Sequence, residues 1–150
     1  MTKRNRRIFL DTSDIFAAAL SATGGARKLF RLGEAGVIQL IVGPNVLREC
    51  EAVIRRKMPE SLPTLAYLLE LGLVEVAIQS QENYVEHAST IIAYKPDAHV
   101  LAEALSIQPD WFITHDKHHF LSHRQNLELT FRIGTPGDLI QALEDEFTNL

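Results

Sequence analysis

Residues 7 to 20, RIFLDTSDIFAAAL, decide how this chain is read. A short apolar run (7 to 10) ends at an acid, Asp11, and near Ser13 or Asp14 the chain enters a segment whose alanines and apolar residues suit a helix. A strand that delivers an acid to its carboxyl end and turns at once into a helix is the opening of a βαβ unit. Two questions follow: whether the alternation repeats, and whether further acids emerge at the same edge.

The alternation does repeat. Short runs rich in β-branched or aromatic residues recur at IQLIV (38 to 42), LVEVA (73 to 77), WFIT (111 to 114) and LTFRI (129 to 133), with helical segments between them. The second helix is expected over 26 to 35, stopping at Gly36, and the third over 44 to 57, opened by Pro44. In that third helix Val46, Leu47, Cys50, Val53 and Ile54 recur at spacings of three and four and are expected to be buried, while Glu51 and Arg55 pair on the other face. Further helices are expected over 61 to 72, 81 to 94 with Ser80 as cap, 95 to 107 and 136 to 147. The helix opened by Pro96 is expected to bury Ala98, Leu101, Ala102 and Leu105. The pattern predicts an α/β fold with a mainly parallel sheet, as one domain over 1 to 150.

Composition narrows the function classes. Hydrophobic residues make up 46% of the 150, enough for a sizeable core. The single cysteine, Cys50, has no intrachain disulfide partner and sits on an apolar stripe, which suggests a buried thiol and a reducing compartment. Basic residues near the start are followed only by the apolar run IFL before Asp11, too short for a targeting signal. No apolar run has the length of a membrane span, so a cytoplasmic protein without membrane contact is expected. A net charge of −4 argues against a generally basic coat, although Lys3, Arg4, Arg6 and Arg7, and Arg55 to Lys57, form local basic clusters.

In open parallel sheets ligands bind beyond the carboxyl ends of the strands, where strand order reverses. Asp11 follows the first strand directly, and Asp116 follows the fourth after Thr114 and His115. Asp97 lies in the first turn of the Pro96 helix and Glu49 lies in the helix after the second strand. Each has a purely structural reading: Asp11 or Ser13 caps a helix, Asp97 meets a helix dipole, Asp116 makes an Asx-turn, and Glu49 is a solvated residue. If the four converge, their repulsion raises their proton affinities unless a cation neutralises them. Such oxygen donors suit Mg²⁺ or Mn²⁺, and an ion of that kind serves phosphodiester hydrolysis.

Four stretches, RIFLDTSDIFAAAL, VGPNVLRECEAVI, KPDAHVLAEAL and FITHDKHHF, in this order and at these intervals, resemble the acidic motifs of the PIN-domain nucleases. The closing FRIGTPGDLIQAL resembles that family's last strand and helix, so the likeness covers about residues 7 to 143. The resemblance implies a three-layer α/β/α fold around a five-stranded parallel sheet of order 3-2-1-4-5, and a ribonuclease dependent on Mg²⁺ or Mn²⁺. It assigns the catalytic quartet to Asp11, Glu49, Asp97 and Asp116, with Asp11, Asp97 and Asp116 holding metal and Glu49 closing the site directly or through water. Ser13 and Thr114 match the family's supporting hydroxyl positions. It further implies RNA as substrate, a homodimer, and the toxin half of a toxin-antitoxin pair with a cognate antitoxin protein.

The stretch WFITHDKHHF also carries His115, His118 and His119, with His123 four residues after the last. They invite a zinc reading, but no cysteine lies nearby to complete a familiar set, and the family pattern calls for no histidine here. Lys117 and His99 are the candidates for contact with substrate phosphates. An aspartyl-phosphate phosphatase would need an acid where Ser13 stands, and a phospho-receiver module would need adjacent acids around the first strand. The alternative that stays open is a PIN-like module that binds RNA or protein without cutting it.

Overall fold

The computed structural model describes residues 6–78, 81–123 and 129–149. Among them five strands form one sheet of order β3-β2-β1-β4-β5, every neighbouring pair parallel. The elements run β1 (Arg6–Leu10), α1 (Thr12–Leu20), α2 (Gly25–Glu34), β2 (Ile38–Val42), α3 (Pro44–Lys57), α4 (Leu62–Leu71) and β3 (Glu75–Val76). They continue with α5 (Glu82–Ile91), α6 (Lys95–Ile107), β4 (Trp111–Ile113), β5 (Arg132–Gly134) and α7 (Pro136–Thr148). Short 3₁₀ turns at Pro59–Ser61 and Leu121–His123 join neighbouring segments.

The central strands are apolar on both faces because both faces are covered. Ile8, Phe9 and Leu10 of β1, and Phe112 and Ile113 of β4, are fully buried. Phe9 stacks on Phe112 with ring centroids 5.4 Å apart, and Phe112 meets Phe120 at 4.8 Å. A parallel strand packed on both sides reads as such a continuous apolar run, and each large side chain so buried contributes roughly 1.5–3 kcal/mol. Helices α1 to α4 pack among themselves, and α5 packs along α6. The right-handed crossover rule places these two groups on opposite faces. The chain leaves β1 toward β2 on one side and later places β4 on the other, so a switch point lies between the carboxyl ends of β1 and β4.

Most expected boundaries agree within a residue or two. Helix α2 ends where Gly36 adopts a φ of 77°, the left-handed conformation that favours glycine. In α3 the apolar stripe narrows: Val46, Cys50 and Ile54 are buried, whereas Leu47 and Val53 are only half-buried, as is Leu105 in α6. The pairing of Glu51 with Arg55 is present at 2.8 Å on an exposed face. Helix α5 stops at Ile91, short of the expected residue 94, because Tyr94 lies just before the next helix, whose second residue is a proline, and the connection must extend. The last strand is later and shorter than LTFRI. Leu129 and Phe131 are drawn inward by packing, Phe131 within 6.2 Å of Phe112, while only Arg132 to Gly134 pair with β4. The proposed Ser80 cap, the basic residues Lys3 and Arg4 and the His123 side chain lie outside the described residues. No helix among the described residues is long and apolar enough to cross a membrane.

Candidate metal centre

Two strand ends form the floor of the site. The Asp11 N–H donates to Ile113 O at 3.0 Å, continuing the ladder between β1 and β4, and the Thr114 N–H donates to Gly134 O at 2.9 Å. Asp11 is therefore held at the sheet edge, only 6% exposed, beside a fully buried Thr114. The Thr114 hydroxyl donates to Asp11 Oδ2 at 2.8 Å, and the Ser13 hydroxyl lies 3.1 Å from the same oxygen. The two hydroxyls also accept: Ser13 Oγ from the His115 N–H at 2.9 Å, and Thr114 Oγ1 from the Asp116 N–H at 2.9 Å. One small network thus fixes the first acid and the backbone leading to the last. Asp14 adds the reciprocal contact of a capping box, its Oδ2 accepting the Asp11 N–H at 3.2 Å.

Asp116 makes the Asx-type turn that its structural reading foresaw. Its Oδ1 accepts the N–H groups of His118 at 3.1 Å and His119 at 3.0 Å. That turn leaves Oδ2 facing the His119 ring, whose Nδ1 lies 3.0 Å away. The same Nδ1 is 3.0 Å from Oδ2 of Asp97, which the first turn of α6 presents from the opposite wall. Asp97 Oδ2 is buried yet receives no well-aligned hydrogen bond. Glu49 is exposed on α3, its Oε2 accepting the Thr12 hydroxyl at 3.3 Å.

A cavity of about 320 Å³ brings these groups together. Asp11, Glu49, Asp97 and Asp116 all line it, with Ser13, Thr12 and His119 among them and Phe16, Tyr94 and Val100 as apolar wall. Thr114 lies beneath, reaching the cavity through Asp11. Lys117 is exposed and lines a neighbouring depression with Leu121, Ser122, Thr135 and Asp138, because the turn at Asp116 carries it outward. His99 is half-buried on α6 and is not among the side chains lining the acidic cavity.

Burial dominates the electrostatics. It holds the Asp11 carboxyl above the usual carboxylate range, against the hydroxyls of Thr114 and Ser13 and the Thr12 N–H, while Asp116 adds repulsion. For Asp97 it raises the pKa to about 6; His119 opposes this, and Asp116, Asp11 and Glu49 add to it. At Asp116 burial also pushes upward, but the backbone and ring of His119 and the His118 N–H outweigh it and leave the pKa lowered. The residues fit a hard divalent cation: the donor set is mostly carboxylate, and one buried carboxylate oxygen lacks a well-aligned donor. Among the described residues the close-set donor group is Asp97, Asp116 and His119, with ligand atoms within 4.8 Å of one another. Asp11 lines the same cavity but stands outside that close set, a difference from the expected Asp11, Asp97 and Asp116 group.

Two buried groups, Asp14 and Glu103, escaped the reading of the sequence, and the role of a third residue, His119, was left open by it. His119 enters the site through the Asx turn at Asp116. Asp14, fully buried, has its carboxyl pushed by burial up to about 7 and faces His115 Nδ1 at 2.8 Å; the signal available was its spacing of three from Asp11. Glu103, also fully buried, lies against the start of α3, the Asn45 N–H standing 3.2 Å from both its carboxyl oxygens. A side chain at Gly43 would put its Cβ 1.9 Å from Glu103 Oε2, so the seat of that carboxyl beside the start of α3 depends on the glycine. Nothing local distinguishes Glu103 from a solvated helix acid.

A family model described as a PIN domain matches residues 7–118. No curated protein matches the chain. Among solved structures, a chain of VapBC2 from Rickettsia felis, crystallised bound to a DNA fragment from their promoter, is similar with a TM-score of 0.67 at 14% identity. That match covers 85% of this chain and 98% of the other. VapC20 from Mycobacterium tuberculosis, a Sarcin-Ricin loop cleaving toxin, is similar with a TM-score of 0.53 at 18% identity, covering 74% of this chain and 91% of that one. At these identities the likeness is one of fold.

Proposed function

Because this chain belongs to the PIN-domain family, we propose that it is a metal-dependent endoribonuclease that hydrolyses RNA phosphodiester bonds with Mg²⁺ or Mn²⁺. The observation that carries the reading is the convergence of Asp11, Glu49, Asp97 and Asp116 on one cavity, with a buried Asp97 oxygen left without an aligned donor. In this reading Asp11, Asp97 and Asp116 hold the ion, and Glu49, the most exposed of the four, closes the site from α3. When bound, such an ion supplies Lewis acidity toward a phosphoryl oxygen and makes nearby water more acidic. Ser13 and Thr114 position the Asp11 carboxylate through Oδ2. Lys117, outside the acidic cavity, and His99 on α6 are the candidates for contact with the flanking RNA strand.

The likeness to VapBC2 and VapC20 supports a toxin role with a cognate antitoxin partner. The proposal extends to action in the cytoplasm as a homodimer of single-domain chains. The test is cleavage of mixed RNA with Mn²⁺, with and without EDTA, beside an Asp11→Asn variant. The proposal expects cleavage that both EDTA and the substitution abolish. Binding of RNA by the unmodified protein without any cleavage would overturn it in favour of a non-catalytic module, and cleavage indifferent to both changes would identify a contaminating nuclease.

A further inference from the structure

We infer that His119 is a direct nitrogen ligand of the metal, joining Asp97 and Asp116 in a mixed nitrogen and oxygen set that favours Mn²⁺ over Mg²⁺. The inference rests on the metal-dependent reading of the site and adds to it a ligand that lies outside the acidic quartet.

The first support is geometric. Nδ1 of His119 is 3.0 Å from Oδ2 of Asp97 and 3.0 Å from Oδ2 of Asp116. Two adjacent ligands of an octahedral ion held at about 2.1 Å stand about 3.0 Å apart, since they subtend a right angle at the ion. The spacing of these donors is that of neighbouring positions in a divalent coordination shell.

The second support is that the ring is set in place from several directions. His119 donates its backbone N–H to Asp116 Oδ1 at 3.0 Å, so the turn that orients the carboxylate also orients the imidazole. Tyr94, just ahead of α6, stacks on the ring with centroids 5.1 Å apart and planes 20° from parallel, and His118 meets it edge-on at 5.1 Å. A histidine that merely shielded two acids from one another would need no such framing. Meanwhile Asp97 Oδ2 has this Nδ1 as its facing group and no aligned hydrogen bond.

The chemistry then sets the preference. Magnesium takes oxygen donors almost exclusively and keeps several waters, whereas an imidazole nitrogen adds affinity for first-row transition ions. A set that adds one imidazole to the carboxylates therefore separates manganese from magnesium where an all-carboxylate set would not.

The experiment uses the full chain and the metals alone. Mn²⁺ and Mg²⁺ affinities are measured by calorimetry for the unmodified protein, His119→Gln and Asp116→Asn, and pulsed electron paramagnetic resonance of the Mn²⁺ form reads whether ¹⁴N is directly bound. The expected result is a directly bound ¹⁴N signal that His119→Gln removes. That variant should also lose at least about tenfold in Mn²⁺ affinity, the least that losing even a supporting partner of a ligand typically costs, with Mg²⁺ affinity unchanged. Mn²⁺ bound without nitrogen coupling, or held as tightly by His119→Gln, overturns the inference and leaves the metal-dependent reading standing. Loss of Mn²⁺ binding in Asp116→Asn verifies that the ion occupies this cavity. No Mn²⁺ binding by the unmodified protein overturns both.

Discussion

Replacing Glu103 with glutamine should change the pH dependence of stability, the variant gaining on the unmodified protein as pH rises. Glu103 is fully buried between α6 and the start of α3, and burial pushes its carboxyl from an ordinary 4.5 up to about 7, against the hydrogen bonds from Asn45 and the charge of Arg48. A raised carboxyl pKa means that the folded state prefers the protonated form. The associated stability is fully present below pH 4.5 and is lost as pH rises toward 7. At about 1.4 kcal/mol per unit, the loss amounts to roughly 3 kcal/mol as an upper value. Glutamine keeps the size and an oxygen to accept the Asn45 N–H, but carries no proton to lose. Its second amide hydrogen lacks an evident acceptor, which adds a constant penalty of about 1–3 kcal/mol that pH does not alter. The slope is therefore the readout, not the offset. Urea unfolding in EDTA at pH 4.5, 5.5, 6.5 and 7.5 should show the stability of Glu103→Gln rising relative to the unmodified protein by about 2–3 kcal/mol across that range. A difference that stays flat over the same interval would refute the reasoning, and would mean that Glu103 is ionised in the folded state at no cost.

Asp97→Asn should abolish cleavage while stabilising the metal-free protein above pH 6. Its carboxyl is raised by burial to about 6, so the stability lost as pH climbs from 3.8 to 6 is restored by a neutral side chain, a gain of about 1–3 kcal/mol readable as a higher melting temperature in EDTA. Thr114→Val removes the donor to Asp11 Oδ2 and the acceptor for the Asp116 N–H in one step. It should cost about 2–4 kcal/mol of stability by urea unfolding, since it leaves buried polar groups unmatched, and should lower cleavage more than stability alone explains. If Thr114→Val cleaves like the unmodified protein, the hydroxyl network has no positioning role.

What the sequence made legible was whatever repeats along the chain. The run from Ile8 to Leu10 announces a strand buried on both faces, and Pro44 and Pro96 mark helix starts within a residue of where they lie. The four acids were legible because each occupies a fixed place after a strand or at a helix start, and topology alone carries such places to one edge. The strand around residue 130 was misread because Phe131 is apolar for packing against Phe112 and Leu129 for packing against the core, not for pairing. His119 was hidden for a different reason. Two imidazoles, His118 and His119, follow Asp116 side by side, and only the turn closed by Asp116 Oδ1 decides which one looks inward. Glu103 belongs to a third kind: its burial arises from the approach of α3, through Gly43, to a helix more than fifty residues away.

The same contrast supports the proposal that the centre takes a cation from outside the chain. A protein that needed these acids only for stability would answer them with fixed positive charge. Among the described residues lining the cavity there is no lysine or arginine, and Lys117, next in sequence to Asp116, is turned away into another depression. Asp11 is answered instead by the neutral hydroxyls of Thr114 and Ser13, which orient it without cancelling its charge. Burial leaves both Asp11 and Asp97 with raised proton affinity, so at neutral pH the folded chain carries an unfavourable concentration of negative charge. A divalent ion that bound the folded state but not the unfolded one would convert that disadvantage into affinity, because Asp11 and Asp97, once engaged, would regain the stability that burial removed. On the proposed metal-dependent reading, the cluster works against the fold when bare and supports it when filled, as a structural ion pair would not.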